Sequence, residues 1–157
     1  MITLWRKHPA ITLSVKTNNK NAGEEIKSNS GLASASNREL QMNIIEKTDD
    51  EILALANPLW SHLVKTSNDG KYGEFVRYFS YNLLRGLNEV EMGQQFAKSD
   101  LTRNLSESVE FIGTIRRGEH ITVLYRQRST KKEGEWLGRL VLGYEDDEVK
   151  IFGASIF

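Results

Sequence analysis

The sequence predicts an α+β fold in which N-terminal helices pack on a curved, mostly antiparallel sheet of four or more strands, giving a cone-like body. Three observations predict it. Apolar residues recur at helical spacing through 48–98, apolar and polar residues alternate in four runs through 109–157, and the breaks between those runs are hairpin-sized.

The composition suits one such domain. A chain of 157 residues, 39% apolar and 27% charged, is a single globular domain able to bury a real core. The formal net charge is +0, so the total does not point to nucleic acid or anionic lipid. Residues 1–40 hold six Lys or Arg against three Glu, an excess that reads as a solvated tail before a basic arm. Cysteine is absent, which excludes disulfides, thiol nucleophiles and zinc-thiolate sites. His8, His62 and His120 lack ligand spacing, so no metal and no cofactor is expected. Arg6, Lys7, His8 and Pro9 interrupt the apolar residues of 1–16 before a signal-peptide core accumulates, and no run reaches the roughly 18 apolar residues that span a bilayer. A soluble, cytoplasmic protein with no membrane partner is the expectation.

Taken in order, Ile11, Leu13 and Val15 alternate with Thr12, Ser14 and Lys16, a pattern that fits either a short edge strand or disorder. Residues 17–37 are Asn, Lys, Ser, Ala and Gly with little to bury. Residues 1–37 are therefore expected to be a flexible polar segment, and 38–157 the folded domain. Thr48-Asp49-Asp50-Glu51 fits a capping box. Ile52, Leu55, Ala56, Leu59 and Leu63, widened by Trp60 and Val64, continue it as an amphipathic helix. Pro58 either kinks that helix or opens a second segment capped by Asn57. After the turn residues Ser67-Asn68-Asp69-Gly70, a second helix is expected from Tyr72, Phe75, Val76, Phe79, Leu83 and Leu84, with a left-handed cap at Gly86. A third begins at Asn88-Glu89-Val90-Glu91 with Val90 and Phe96 inward, and 100–108 reads as a loop.

The four strands follow. Val109, Phe111, Gly113 and Ile115 alternate, as do Ile121, Val123 and Tyr125, and then Trp136, Gly138, Leu140, Leu142 and Tyr144. The last strand occupies 149–157. Arg117-Gly118, residues 129–134 and Glu145-Asp146-Asp147 supply the turns. Gly113, Gly138, Gly143 and Gly153 fall inside strands, where glycine marks bulges, bends or close approach, so strong curvature is expected.

The runs Ala56-Asn57-Pro58-Leu59-Trp60, Gly70-Lys71-Tyr72-Gly73-Glu74-Phe75 and Phe79-Ser80, with a glycine-containing end at Ile151-Phe152-Gly153, resemble the nuclear-transport-factor-2-like superfamily over about residues 48–157. That resemblance implies a cone with a pocket between helices and sheet, used by ketosteroid isomerase and SnoaL-like members for chemistry and by others for binding. The isomerase roles, an Asp base with a Tyr and a protonated Asp as oxyanion hole, do not carry over. Trp60 and His62 stand where a hydrogen-bonding Tyr is sought, and Asp100, Asp146 and Asp147 fall in loops and turns.

No catalytic residue is therefore named. Trp60, Phe79, Tyr125 and Trp136 are the pocket candidates, and a core aromatic cluster is the commoner use of such residues. His62 sits about 200° round its helix from Trp60 and is expected to face solvent. His120 is expected on the surface of its strand. Arg126, Arg128 and Arg139 would make a basic stripe, but Glu110, Glu119, Glu133 and Glu135 are interspersed to neutralise it. The function expected is a non-enzymatic domain that binds a small apolar ligand or another protein and forms a homodimer through its sheet. The alternative is a small-molecule enzyme, isomerase-like or hydrolase-like, with an apolar pocket inside the cone.

Overall fold

The computed structural model of the chain describes residues 43–157. The alternating run at residues 11–16 and the polar segment 1–37 lie outside the described residues. A short 3-10 turn, Ile44–Glu46, leads into helices α1 (Asp49–Asp69), α2 (Tyr72–Phe75), α3 (Tyr81–Arg85) and α4 (Glu89–Lys98). Strands β1 (Leu105–Arg117), β2 (His120–Ser129), β3 (Trp136–Glu145) and β4 (Glu148–Ile156) then form one antiparallel sheet in the order β1-β2-β3-β4. The α+β architecture is as expected, and the helices cover one face of the sheet.

α1 starts where the capping box places it. The Thr48 hydroxyl accepts from the Glu51 amide at 3.3 Å, and the Glu51 carboxylate accepts from the Thr48 amide at 2.8 Å. The helix runs unbroken through Pro58, which is exposed, so water can take the carbonyl that lacks a partner. Ile52, Ala56, Trp60, Leu63, Val64 and Ser67 form its buried face, and the helix ends on Gly70, whose φ of 69° is the left-handed cap.

The expected second helix is broken. Between α2 and α3 the chain straightens, and Phe79 makes a parallel bridge to Ile151. Ser80 N–H donates to Ile151 O at 2.9 Å and Ile151 N–H to Tyr78 O at 2.8 Å. Phe79 is buried either way, so its apolar signal could not distinguish helix from strand. Gly86, with φ of −83°, is not a left-handed cap. In α4 the inward residues are Met92 and Phe96, one turn apart, while Val90 is 68% exposed. A spacing of six residues turns a helix by about 600°, so Val90 and Phe96 cannot share a face.

The sheet also departs from expectation at β1. The strand begins at Leu105 inside the expected loop, because the Asn68 side chain supplies both of Leu105's backbone partners: Nδ2–H donates to Leu105 O at 2.8 Å and Oδ1 accepts from Leu105 N at 2.9 Å. A bulge between Phe111 and Gly113 then reverses the faces. Val109 and Phe111 point toward the helices, but Ile115 pairs with outward-facing Thr122, and Thr114 and Arg116 take the inner side. Two further irregularities lie between Leu105 and Val109 and between Val141 and Leu142. The sheet is nevertheless not strongly curled. Gly138 and Gly143 serve close approach instead: a Cβ on the first would lie 2.5 Å from the Trp60 ring, and on the second 2.8 Å from the His120 ring. The β3–β4 turn is made by Asp146 and Asp147, both at positive φ (53° and 62°), as a two-residue hairpin of the right twist requires.

Candidate functional site

The inner side of the sheet is built from alternation. Ile121, Val123, Tyr125 and Gln127 of β2 are all buried, and opposite them stand Leu142, Leu140, Gly138 and Trp136 of β3. Trp60 of α1 enters over Gly138 and stacks on Tyr125, with ring centroids 5.2 Å apart and planes at 26°. Its indole N–H donates to Gln127 Oε1 at 3.0 Å, and Gln127 Nε2–H donates to Ser106 O at 2.7 Å and Arg128 O at 2.9 Å. The Tyr125 hydroxyl donates to Asn57 Oδ1 at 2.9 Å, and burial raises its pKa far above the ordinary phenol value. Every buried polar side-chain atom of Trp60, Tyr125 and Gln127 has a partner, so the cluster reads as a satisfied core network.

Of the four pocket candidates, the structure brings Trp60 and Tyr125 into direct contact. Phe79 lies elsewhere, edge-on to Phe75 at 5.5 Å, and Trp136 is half-buried at the hairpin end of the sheet. Trp60 alone of the four lines the interior void, together with Leu63, Phe75, Leu105, Ser155 and Ile156. That void measures about 20 Å³, space for a single water. Gln127 was not singled out from the sequence, although it continues the inward alternation of Ile121, Val123 and Tyr125. Asn57 and Asn68 carry no sequence signal of their roles, because each acts on a residue more than 35 positions away.

His62 is half-buried and does not point freely into solvent. Its Nε2 lies 2.7 Å from Glu74 O and its ring meets Tyr78 edge-on at 5.0 Å, since the chain after Gly70 folds back over it. His120 packs edge-on against Phe152 at 4.4 Å. Among the described residues, no group of three or more His, Asp or Glu is placed to hold a metal ion, and no helix is long and apolar enough to cross a membrane.

The outer side of the sheet carries what the core does not use. The register aligns Ile115, Thr122, Val141 and Gly153 in one row, Gly113, Leu124, Arg139 and Ser155 in the next, and Glu110, Arg126 and Leu137 in a third. Ile115 and Leu137 are 54% and 39% exposed, and the bulge residue Ile112 is 50% exposed. Two arginines of the basic stripe pair with two of the interspersed glutamates, Glu110 and Glu135, and the third, Arg139, meets a ring instead. Arg126 pairs with Glu110 at 2.9 Å and with Glu135 at 3.3 Å, Arg128 pairs with Glu135 at 3.0 Å, and Arg139 lies over the Phe157 ring at 5.5 Å. Glu135 is held below the usual carboxylate range by its bond to Arg128 and by the charge of Arg126. This face carries exposed aliphatic side chains among charged ones.

No family model matches the chain, and neither a search of curated proteins nor one of solved structures returns a match.

Proposed function

We propose that this chain is a non-enzymatic interaction domain of nuclear-transport-factor-2-like architecture that forms a homodimer through the outer face of its sheet. The observation that carries the proposal is the set of aliphatic side chains left exposed there, Ile112, Ile115 and Leu137, with Leu124 and Val141 half-buried. Four strands at about 4.8 Å spacing and ten residues of length give a face about 20 Å by 30 Å, or about 600 Å² per partner, at the lower end of the range for specific interfaces. A two-fold contact sets a surface against itself, so its charges must be self-complementary. The face meets that condition, with Arg126 and Arg128 offset by Glu110 and Glu135. The filled interior favours this reading over a ligand site inside the domain, since about 20 Å³ admits no small organic molecule.

Sedimentation velocity tests it directly. The parent chain should sediment as a dimer, and Leu137→Glu, which buries a charge within the contact, should give a folded monomer with the parent's circular dichroism. A parent chain that stays monomeric at high concentration, or a Leu137→Glu variant that remains a dimer, would end the proposal.

A further inference from the structure

The turn that leads into α1 is a piece the helix does not need. The capping box closes on itself, Thr48 and Glu51 each satisfying the other's amide, so the first turn of α1 is complete without the residues before it. Lys47 and Thr48 are both extended, with ψ of 143° and 161°, and separate the helix from the 3-10 turn Ile44–Glu46. The backbone bonds inside that turn are local and long, Glu46 N–H to Asn43 O and Lys47 N–H to Ile44 O, each at 3.3 Å.

Two contacts fix the turn to the body. Ile44, 1% exposed, is its one buried residue, and the turn packs on β2 and β3. The second contact is Arg116, the sole donor from the body to residues 43–47 among the described residues. Its Nε–H donates to Ile45 O at 3.1 Å and an Nη2–H to Lys47 O at 2.8 Å. The same guanidinium is anchored on the body side. Nη2–H donates to Asp49 Oδ1 at 2.7 Å, Nη1–H to Thr114 Oγ1 at 2.9 Å, and the Thr114 hydroxyl donates to Asp49 Oδ1 at 2.8 Å.

We propose that residues 43–47 are a strap that opens as a unit about Lys47 and Thr48 while the domain stays folded, with Ile44 as its plug and Arg116 as its latch. Opening releases one buried side chain and two partly exposed bonds, whereas unfolding releases the whole core, so the strap opens far more often than the chain unfolds. α1 keeps its capping box in the open form. Arg116 keeps Asp49 and Thr114, which hold the guanidinium in place for the strap to close on again. Arg116 pairs with Ile121, and Ile121 with Leu142, so the latch lies at the end of the sheet where the β1–β2 hairpin turns. Because the turn packs on β2 and β3 and Ile44 belongs to the core, opening bares part of the inner side of those strands.

Since the chain has no cysteine, a single introduced thiol reports the opening. Ile44→Cys and Val123→Cys, the latter at a fully buried position of β2, are labelled in the full chain by excess thiol reagent at several urea concentrations below the melt. The first thiol should label at least about a hundredfold faster than the second, and with a shallower dependence on urea, because the slope follows the surface exposed. Adding Arg116→Ala should speed labelling of Ile44→Cys by about tenfold, the effect of losing two partly exposed hydrogen bonds. Equal rates and slopes for the two thiols would mean that Ile44 leaves the core only on unfolding, and would overturn the proposal. Labelling of Ile44→Cys at the speed of a free thiol would overturn it too, since the strap would then never be closed. An unchanged rate with Arg116→Ala would remove the latch. A readout without substitutions comes from amide exchange: Glu46 and Lys47 should show a shallower urea dependence than the amides of β2, and a matching dependence would count against the strap. Neither measurement depends on the dimer, whose presence sedimentation reports separately.

Discussion

Replacing Gly138 with alanine should destabilise the domain, although the backbone there is ordinary strand and would otherwise favour the change. Gly138 sits on the inner face opposite Tyr125, and its added Cβ would lie 2.5 Å from Trp60 Cζ2 and 2.9 Å from Cη2. Carbon atoms in good contact stay about 3.5–4.0 Å apart, so the indole must retreat by about 1 Å. Tyr125 stacks on that ring at 5.2 Å, and the N–H bond to Gln127 at 3.0 Å tethers its edge. Overpacking of this kind costs about 1–3 kcal/mol. Losing the buried bond leaves Gln127 Oε1 without its donor, at about another 1–3 kcal/mol. Alanine in place of glycine returns about 0.5–1 kcal/mol through the unfolded chain. The net loss is about 1–5 kcal/mol, or a drop in Tm of several degrees to about 20 °C. Urea melts followed by far-UV circular dichroism and by indole fluorescence measure it. Gly93→Ala serves as the control, because its Cβ on exposed α4 meets nothing within 4 Å and should stabilise the helix by up to about 1 kcal/mol. If Gly138→Ala melts at the parent's midpoint, Trp60 is not locked by Tyr125 and Gln127, and the packing argument for the inner face is wrong.

Two further outcomes follow from the polar contacts. Asp49 accepts from Arg116 at 2.7 Å and from Thr114 at 2.8 Å, bonds that hold its carboxyl below the usual carboxylate range. Its contribution to stability is therefore present above about pH 4 and lost as pH falls through the depressed folded value. The stability difference between the parent and Asp49→Asn should be constant near neutrality and shrink in acid, and a difference unchanged down to pH 2 would refute the link. Ser155 is 2% exposed and its hydroxyl has no partner among the described residues, so Ser155→Ala should leave stability unchanged or raise it by up to about 1 kcal/mol in the same urea melts. A loss larger than that would mean the hydroxyl is bonded.

The strands from residue 109 onward, and α1 with its capping box, were legible because their signals are local. Thr48 and Glu51 satisfy each other three residues apart, and Ile121, Val123 and Tyr125 declare one face by alternation. The break at Phe79 was not legible, since an apolar residue suits a helix face and a bridge to Ile151 equally well. Nor was the early start of β1, which depends on Asn68 reaching across to Leu105 from the end of α1. At the site, the aromatic residues of the core were identifiable by type, but which of them meet was not. Trp60 and Tyr125 stack because Gly138 leaves the indole room, while Phe79 is drawn to β4 by its backbone bonds.

The sequence by itself determined the α+β class, the four-strand meander and its hairpins, and the pairing of charges along the sheet, because periodicity, turn chemistry and net charge are properties of neighbouring residues. Tertiary structure alone decided which core side chains meet and that Ile115 faces outward. A single extra residue in β1 reverses every side chain after it, and the pattern of alternation continues unchanged across that reversal. Ile115, which alternation placed with Val109 and Phe111, thereby became part of the surface on which the proposed function rests.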